Sequence, residues 1–285
     1  MNAKITPRDI AIILDVYKYR YLSTSQIKRL HFPSDYTTWR RLQALVNYGC
    51  LKPFTVYNIP ERLFYLDKKG AELISIEMQV NIEDLDWHRH TKQPKDYYFL
   101  KHFMAINDFR ILITEACGTS AMKLPGFIPE YVGERSKDGN VKKYIRDRIG
   151  DHSHTPDAVF ALEKDGKPAL FFLEIDRGGE VVNDPEKGFL KSIVFYLNYW
   201  VDTKWQRYQK DFGVKEFKVF RVLYITTSKS RLEHMREAVT NLPFRDSNAK
   251  RFLWGTTEQA ATKDWIFESI WRSMDTNDNA LYRIG

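Results

Sequence analysis

Cysteine and long apolar runs are what this sequence most lacks. Cys50 and Cys117 are its two cysteines, too few for a disulfide framework or a cysteine-rich zinc site. No apolar stretch approaches the roughly 20 residues that span a bilayer, and the opening residues lack the apolar core of a secretory signal. We therefore expect a cytoplasmic protein in a reducing environment, without membrane attachment.

Residues that build a core are well represented. The 285 residues are 43% hydrophobic and 14% aromatic, which excludes global disorder and suits one large or two modest domains. The net charge of +7 is unevenly distributed, because residues 1–60 hold nine Lys or Arg and only three Asp or Glu. A local basic excess indicates a polyanionic partner, since each neutralised phosphate releases counterions.

The first eighty residues predict three helices followed by a hairpin. Capping residues start the helices at Thr6, at Ser23 or Thr24, and at Ser34, and Gly49 ends the third helix. The runs "CLKPFTVY" and "LFYLD", on either side of the turn "NIPER", predict two strands. This order is that of a winged helix-turn-helix, whose third helix enters the major groove of DNA.

The third helix has an apolar stripe and a polar remainder. Trp39, Leu42, Leu45 and Val46 form the stripe, which we expect to face the core. Arginine suits guanine and phosphate contacts, and threonine suits thymine methyl groups. The predicted DNA contacts are Thr37, Thr38, Arg40 and Arg41 on the third helix, Lys28 and Arg29 on the second, and Arg62 on the wing. A winged helix that contacts only proteins is the alternative.

A polar segment, residues 81–95, separates the predicted winged helix, 1–80, from a second domain, 96–285. The sequence "HRH" at 88–90 has the spacing of the metal-binding histidines of single-strand nicking relaxases. Its central arginine stands where those proteins need an apolar residue, so we interpret the two histidines as part of a solvated linker. A relaxase that attacks DNA with one of the sixteen tyrosines stays an alternative without a supporting motif.

In the second domain the sequence predicts a long helix, a run of strands, a helix, a strand, a helix and a final strand. Its strand candidates are "AMKLPGF", "VKKYIRDRI", "PDAVFAL", "ALFFLEIDRG", "FKVFRVLYITTS" and "RFLWG". Alternation of helices and strands in this order indicates an α/β (α+β) sandwich around a mixed sheet.

Three carboxylates stand on two of these strands. Glu174 and Asp176 are two residues apart, so they point to one face of their strand, and Asp157 can approach from the neighbouring strand. Acidic groups beside buried strands are costly unless they are compensated. Converging carboxylates would hold Mg²⁺ or Mn²⁺, which can activate water and stabilise charge on a phosphate.

This order of elements, with Asp157 before one central strand and Glu174-x-Asp176 near the end of the next, resembles the PD-(D/E)xK nuclease superfamily. The resemblance implies a restriction-endonuclease-like sandwich that cleaves DNA, with these three residues as metal ligands and catalytic groups. The superfamily usually has a lysine at the third motif position, where this chain has Asp176.

The missing positive charge has several candidate sources. Lys191 or Lys187 on the next helix could offset phosphate charge, as could Arg177 if the strand bends. If the charge is absent, the domain binds nucleic acid without cutting it. His152 and His154 share a face if their segment is extended, and we interpret them as loop histidines, with a place near a phosphate as the alternative.

Most of the chain resembles the replication-relaxation family of plasmid and mobile-element proteins. The quoted matches are "TPRDIAIILDVYKYRYLSTSQIKRLHF", "TTWRRLQALVNYGCL", "LKHFMAINDFRIL", "PDAVF", "FFLEIDRGGE" and "VLYITTSKSR". The resemblance implies a role in replication or mobilisation.

Two interpretations of the function stay open. The first is a duplex-DNA-binding protein of a plasmid or mobile element that also nicks DNA with Mg²⁺ or Mn²⁺. The second is a non-enzymatic winged-helix regulator or replication initiator. Its degenerate nuclease-like domain would form a homodimer or recruit a partner.

Overall fold

The structure is a computed structural model that describes residues 5–85, 87, 97–135, 141–243 and 247–285. Most of the predicted linker, including the histidines at 88–90, lies outside these residues.

The helices of the described chain are α1 (Pro7–Tyr19), α2 (Thr24–His31), α3 (Asp35–Asn47), α4 (Lys68–Met78), α5 (Tyr97–Gly118), α6 (Gly188–Asp202), α7 (Tyr208–Asp211) and α8 (Lys229–Thr240). The strands are β1 (Leu22–Ser23), β2 (Leu51–Val56), β3 (Ile59–Leu66), β4 (Lys123–Pro129), β5 (Gly133–Arg135), β6 (Val141–Lys143), β7 (Asp147–Ile149), β8 (His152–His154), β9 (Ala158–Lys164), β10 (Lys167–Asp176), β11 (Phe220–Thr226), β12 (Leu253–Thr257), β13 (Trp271–Ser273) and β14 (Leu281–Tyr282).

The chain divides into two units, Met1–Ile111 and Leu112–Gly285, and the division falls within α5. The predicted domain boundary assigned all of this helix to the second domain. The first part of α5 instead packs on the first unit: the Asn107 side chain donates to the carbonyls of Tyr19 and Tyr21, at 3.1 and 2.8 Å.

The first unit has the element order of a winged helix-turn-helix. Its helices begin at the predicted caps, because the side chains of Thr6, Ser23 and Ser34 each accept a backbone N–H of the first turn. Its three strands form one sheet in the order β1-β3-β2. The two-residue β1 is a strand that sequence patterning missed, and the hairpin turn lies at 57–58, earlier than predicted.

The apolar stripe predicted for α3 is correct at its centre and wrong at one end. Leu42 and Leu45 are buried, and Val46 packs against the same core. Trp39, however, is 58% exposed. A position at the edge of a helical stripe can face either way, because periodicity gives its angle and not the extent of the neighbouring elements.

A buried ion pair holds α1 to α3. Asp9 is fully buried and accepts two hydrogen bonds from the Arg41 guanidinium. Burial alone would raise the pKa of Asp9, but hydrogen bonds from Arg41 and Thr6 bring it below its ordinary value. Arg41, predicted to contact DNA, therefore has a structural partner inside the unit.

The second unit is built around a seven-stranded sheet in the order β14-β13-β12-β11-β10-β9-β4. β10 is parallel to β11, and β11 is parallel to β12. The remaining pairs of neighbouring strands are antiparallel. The mixed α/β class predicted from the sequence is confirmed. Residues of α6 and α8 share one hydrophobic cluster with this sheet. β13 and β14 were missed because each is too short to show a period.

Two small hairpins stand apart from the large sheet. β5 pairs with β6, and β7 pairs with β8. The run predicted as one strand, "VKKYIRDRI", is therefore two strands in different hairpins. A turn at residues 144–145 separates them.

We predict that Asp9→Asn lowers the free energy of unfolding by about 3 kcal/mol, because removing one partner leaves a buried charge uncompensated. Urea unfolding of the full chain measures this change. Since the pKa of Asp9 is lowered on folding, its contribution is present above the ordinary value of 3.8 and is lost as the pH falls through the folded value. The variant should therefore lose less stability in acid.

Asp35→Asn is the matched control, since Asp35 is an exposed acid that pairs with Lys28 on the surface. Its effect should stay within about 0.5 kcal/mol. An equally small effect of Asp9→Asn would contradict the structural importance of the Asp9–Arg41 pair.

Candidate functional site

Two of the predicted carboxylates meet across neighbouring strands. Asp157 immediately precedes β9, and the antiparallel register that pairs Ala158 with Leu173 places it opposite Glu174 on β10. The Asp157 amide donates to the Leu173 carbonyl at 3.0 Å, and Oδ2 of Asp157 accepts the Ile175 amide at 2.6 Å. Side chains directly opposite each other start roughly 5 Å apart at Cβ.

Glu174 is compensated by a histidine and a tyrosine. Its Oε1 lies 2.6 Å from Nε2 of His154 and accepts the Tyr196 hydroxyl at 2.5 Å. Burial raises the pKa of Glu174, and the nearby His154 opposes this shift. Burial alone would lower the pKa of His154, but Glu174 raises it above its ordinary value. Beside Glu174, His154 therefore keeps its proton to a higher pH than burial alone would allow.

His154 is held by the β7–β8 hairpin. Asp147 is the register partner of His154 in this hairpin. Oδ2 of Asp147 accepts hydrogen bonds from the hydroxyls of Tyr199 at 2.5 Å and Tyr208 at 3.1 Å, and Oδ1 lies 3.1 Å from Nε of Arg207. Sequence inspection missed this network and interpreted His154 as a loop residue. The feature of the sequence that could have indicated a strand here is the alternating "HSH", since two histidines two residues apart share a face when the segment is extended.

Asp176 is compensated separately, at the end of β10. Its two oxygens accept from Nε and Nη2 of Arg231 on α8, at 2.9 and 3.0 Å. The Thr226 hydroxyl donates to Oδ2 at 2.7 Å, and the Gly178 amide donates to Oδ1 at 3.2 Å. Burial alone would raise the pKa of Asp176, but Arg231 and Thr226 bring it below its ordinary value. Asp176 is thus a saturated acceptor.

The donor set does not fit a divalent metal in this arrangement. Within the described ranges, no three His, Cys, Asp or Glu side chains are placed to hold a metal ion. Oδ2 of Asp157, Oε1 of Glu174 and both oxygens of Asp176 already accept hydrogen bonds. Mg²⁺ or Mn²⁺ stays a prediction that these contacts do not support, and we derive no chemical step through it.

The role predicted for Lys191, Lys187 or Arg177 in offsetting phosphate charge stays a prediction. Lys191 is exposed on α6, Lys187 precedes that helix, and Arg177 pairs with Glu258. The cationic partners of Glu174 and Asp176 are His154 and Arg231. Arg231 was not predicted from the sequence. The feature that could have indicated it is its position in the first turn of α8, after the Ser228 cap.

The predicted DNA contacts on the first unit fall into two groups. Arg40 and Arg62 are exposed to solvent. The others have partners within the unit: Thr38 is buried and donates to the Ser34 carbonyl, Thr37 also donates to Ser34, Arg41 pairs with Asp9, Lys28 with Asp35 and Arg29 with Asp108.

The outward face of α3 also carries two aromatic residues that the sequence did not assign to DNA. Tyr36 is 68% exposed and Trp39 is 58% exposed. The Arg40 guanidinium lies 5.7 Å from the centre of the Tyr36 ring. A helix that leaves two large aromatic rings and an arginine in solvent has a face available for a partner.

The sequence model of the replication-relaxation family matches residues 14–214, about two thirds of the chain. The chain therefore belongs to the replication-relaxation family. No curated protein matches it. Among the helices of the described residues, none has the length and apolar character needed to cross a membrane.

Two solved structures are similar to this chain over part of their length. One is the restriction endonuclease FokI bound to DNA, at 12% identity, and the other is FokI alone, at 13%. The matches cover 88% and 90% of this chain and 43% of each FokI chain, with a TM-score of 0.26 in both cases. This chain thus spans less than half the length of the structures it matches.

We predict that the His154–Glu174 pair makes stability depend on pH above neutrality. A pKa raised on folding contributes stability that is complete below the unfolded value, 6.5 for histidine, and is lost as the pH rises through the folded value. The free energy of unfolding should therefore fall as the pH rises above 6.5, and His154→Gln should remove most of this slope.

Urea unfolding at a series of pH values measures the slope. His152→Gln is the matched control, because His152 lies in the same hairpin and is exposed. A slope that persists unchanged in His154→Gln would show that the pair is not its origin.

Proposed function

We propose that this protein binds duplex DNA during the replication or mobilisation of a plasmid or mobile element, without needing a nuclease reaction of its own. The outward face of α3, formed by Tyr36, Trp39 and Arg40, is the observation that carries the proposal. Membership of the replication-relaxation family supports the biological setting.

The inner face of α3 gives the helix a fixed orientation. Leu42 and Leu45 are buried in the core, and Thr38 closes a hydrogen bond to Ser34 at the start of the helix. The ion pair between Arg41 and Asp9 fixes α3 to α1. A helix held in this way has little backbone entropy left to lose when its outer side chains bind a partner, which favours affinity.

The charges of the outer face suit a phosphate backbone. Arg40 has a ring contact with Tyr36 and, among the described residues, no ion pair. Arg62 is exposed at the wing, where Thr24 donates to its carbonyl. Lys28 and Arg29 form ion pairs with Asp35 and Asp108. They contribute to the electrostatic potential of the surface, but they are weaker candidates than Arg40 and Arg62 for direct contacts with DNA.

We predict that Arg40→Glu and Arg62→Glu each weaken duplex binding about tenfold or more, because a lost phosphate or base contact costs about 1–3 kcal/mol. A gel shift with the full chain and origin-containing duplex at a fixed salt concentration measures the affinity. Trp39→Ala should weaken binding without changing net charge.

Lys68→Glu is the matched control, since it makes the same charge change at an exposed residue of α4 that pairs with Glu72. It should leave affinity within about twofold. Equal losses in all the charge variants would indicate a general charge effect and contradict α3 as the interface.

The second unit supports binding or assembly more than cleavage. Asp176, at the position of the superfamily's usual lysine, is occupied by Arg231, Thr226 and the Gly178 amide. A metal or water that used Asp176 would first have to displace this ion pair, which is mostly shielded from solvent. A homodimer through this unit stays a prediction.

A metal-dependent nicking endonuclease is the second candidate function, favoured by the register that sets Asp157 opposite Glu174.

We predict that supercoiled plasmid with its own origin, incubated with the protein and Mg²⁺ or Mn²⁺, is nicked no faster than with the variant Asp157→Ala/Glu174→Ala. Gel electrophoresis of open-circular product measures this. Nicking lost in that variant would establish the second candidate and overturn the first.

A further inference from the structure

A cavity of about 660 Å³ opens near the start of β11, in the second unit. The cationic and aromatic residues of its lining are Arg221, Lys250, Arg251, Trp254 and Tyr282. Arg221 and Thr226, the Asp176 partner, are five residues apart on β11, or roughly 16 Å at the rise of a strand. The cavity is therefore separate from the carboxylates on β9 and β10.

Arg221 is a poorly compensated charge in the wall of this cavity. Its Nε is buried without a hydrogen-bond partner, and Nη1 donates to the Phe220 carbonyl at 3.1 Å. The guanidinium lies 4.8 Å from the centre of the Trp254 ring, which stacks on Tyr282 at 4.9 Å. Burial lowers the pKa of Arg221, and the group that opposes this shift is the Tyr282 phenol rather than a carboxylate.

The other cations of the cavity also lack carboxylate partners among the described residues. Lys250 is buried and donates to the carbonyls of Thr240 and Leu242, at 3.0 and 3.3 Å. Arg251 is exposed.

The two acids of the lining make other contacts. Asp278 accepts from the Tyr282 hydroxyl and the Ala280 amide, and Asp275 accepts from the Asn277 amide and the Thr240 hydroxyl. Neither acid accepts a described hydrogen bond from a cavity cation.

We infer that this cavity binds a phosphate group, with Arg221 and Arg251 as its donors. A guanidinium taken out of water without a counter-charge costs stability, and a bound anion would recover that cost. The planar fork of arginine matches phosphate oxygens, and the volume falls within the range of small-molecule sites. The phosphate belongs either to a free nucleotide or to the DNA backbone.

The test compares thermal melting and calorimetric titration of the full chain and the variant Arg221→Met. The probes are inorganic phosphate, deoxyadenosine monophosphate and a short duplex. Phosphate should raise the melting temperature of the unmodified chain. Arg221→Met should melt at the same or a higher temperature without phosphate, because it removes an uncompensated charge, and should lose the phosphate response.

Two further variants keep the result decisive. Arg251→Met, at an exposed position, should weaken phosphate affinity about tenfold if its hydrogen bond to the anion is typical of charged groups. Arg272→Met, which removes an arginine on β13 that pairs with Glu233, should leave the affinity unchanged.

The probes also separate the two sources of phosphate. Saturation by the nucleotide without competition from the duplex supports a free phosphate compound. Duplex competition that disappears in Arg221→Met supports the DNA backbone. The inference is overturned if no probe binds, or if Arg221→Met and Arg251→Met both bind phosphate as tightly as Arg272→Met.

Discussion

One constraint governs the second unit. The buried strand β10 holds two carboxylates near its end, Glu174 and Asp176, and each requires its own counter-charge. Glu174 obtains it from His154 on the β7–β8 hairpin, with Tyr196 of α6 adding a hydrogen bond. Asp176 obtains it from Arg231 of α8. The hairpin and both helices are therefore tied to a single strand by polar contacts as well as by their shared apolar cluster.

The two compensations have different chemical consequences. Arg231 stays charged at any physiological pH, so Asp176 is held as a carboxylate with its acceptor sites used. His154 is a titratable cation whose pKa Glu174 raises above its ordinary value, so the charge beside Glu174 can change with pH. The partner charge of Asp176 is thus constant, whereas the partner charge of Glu174 changes with pH. The PD-(D/E)xK pattern usually has a lysine at the position where this chain has Asp176, a carboxylate held in the fixed pair.

Local signals predicted the fold better than they predicted the site. The caps at Thr6, Ser23 and Ser34 and the mixed sheet follow from short-range patterns, and all are present. The register that opposes Asp157 to Glu174 also follows from two adjacent strands joined by a short turn. The partners of these carboxylates could not be predicted in this way, because they come from distant parts of the chain. Arg231 is 55 residues from Asp176 in sequence, and no periodicity links them.

Several arginines, inside and outside the site, can also be divided into those with a satisfied charge and those without. Arg41 and Arg231 each grip a buried carboxylate, and Arg236 donates to the carbonyls of Ser273 and Asp278. Such residues are part of the scaffold, whatever their charge suggests in the sequence.

Arg40 and Arg221 differ from these arginines, because among the described residues each has an aromatic ring as its main side-chain neighbour and no carboxylate. A cation placed over a ring keeps most of its attraction for an anion, since the ring offers a weak quadrupole and no net charge. For this reason the proposed DNA interface rests on Arg40, and the proposed phosphate cavity rests on Arg221.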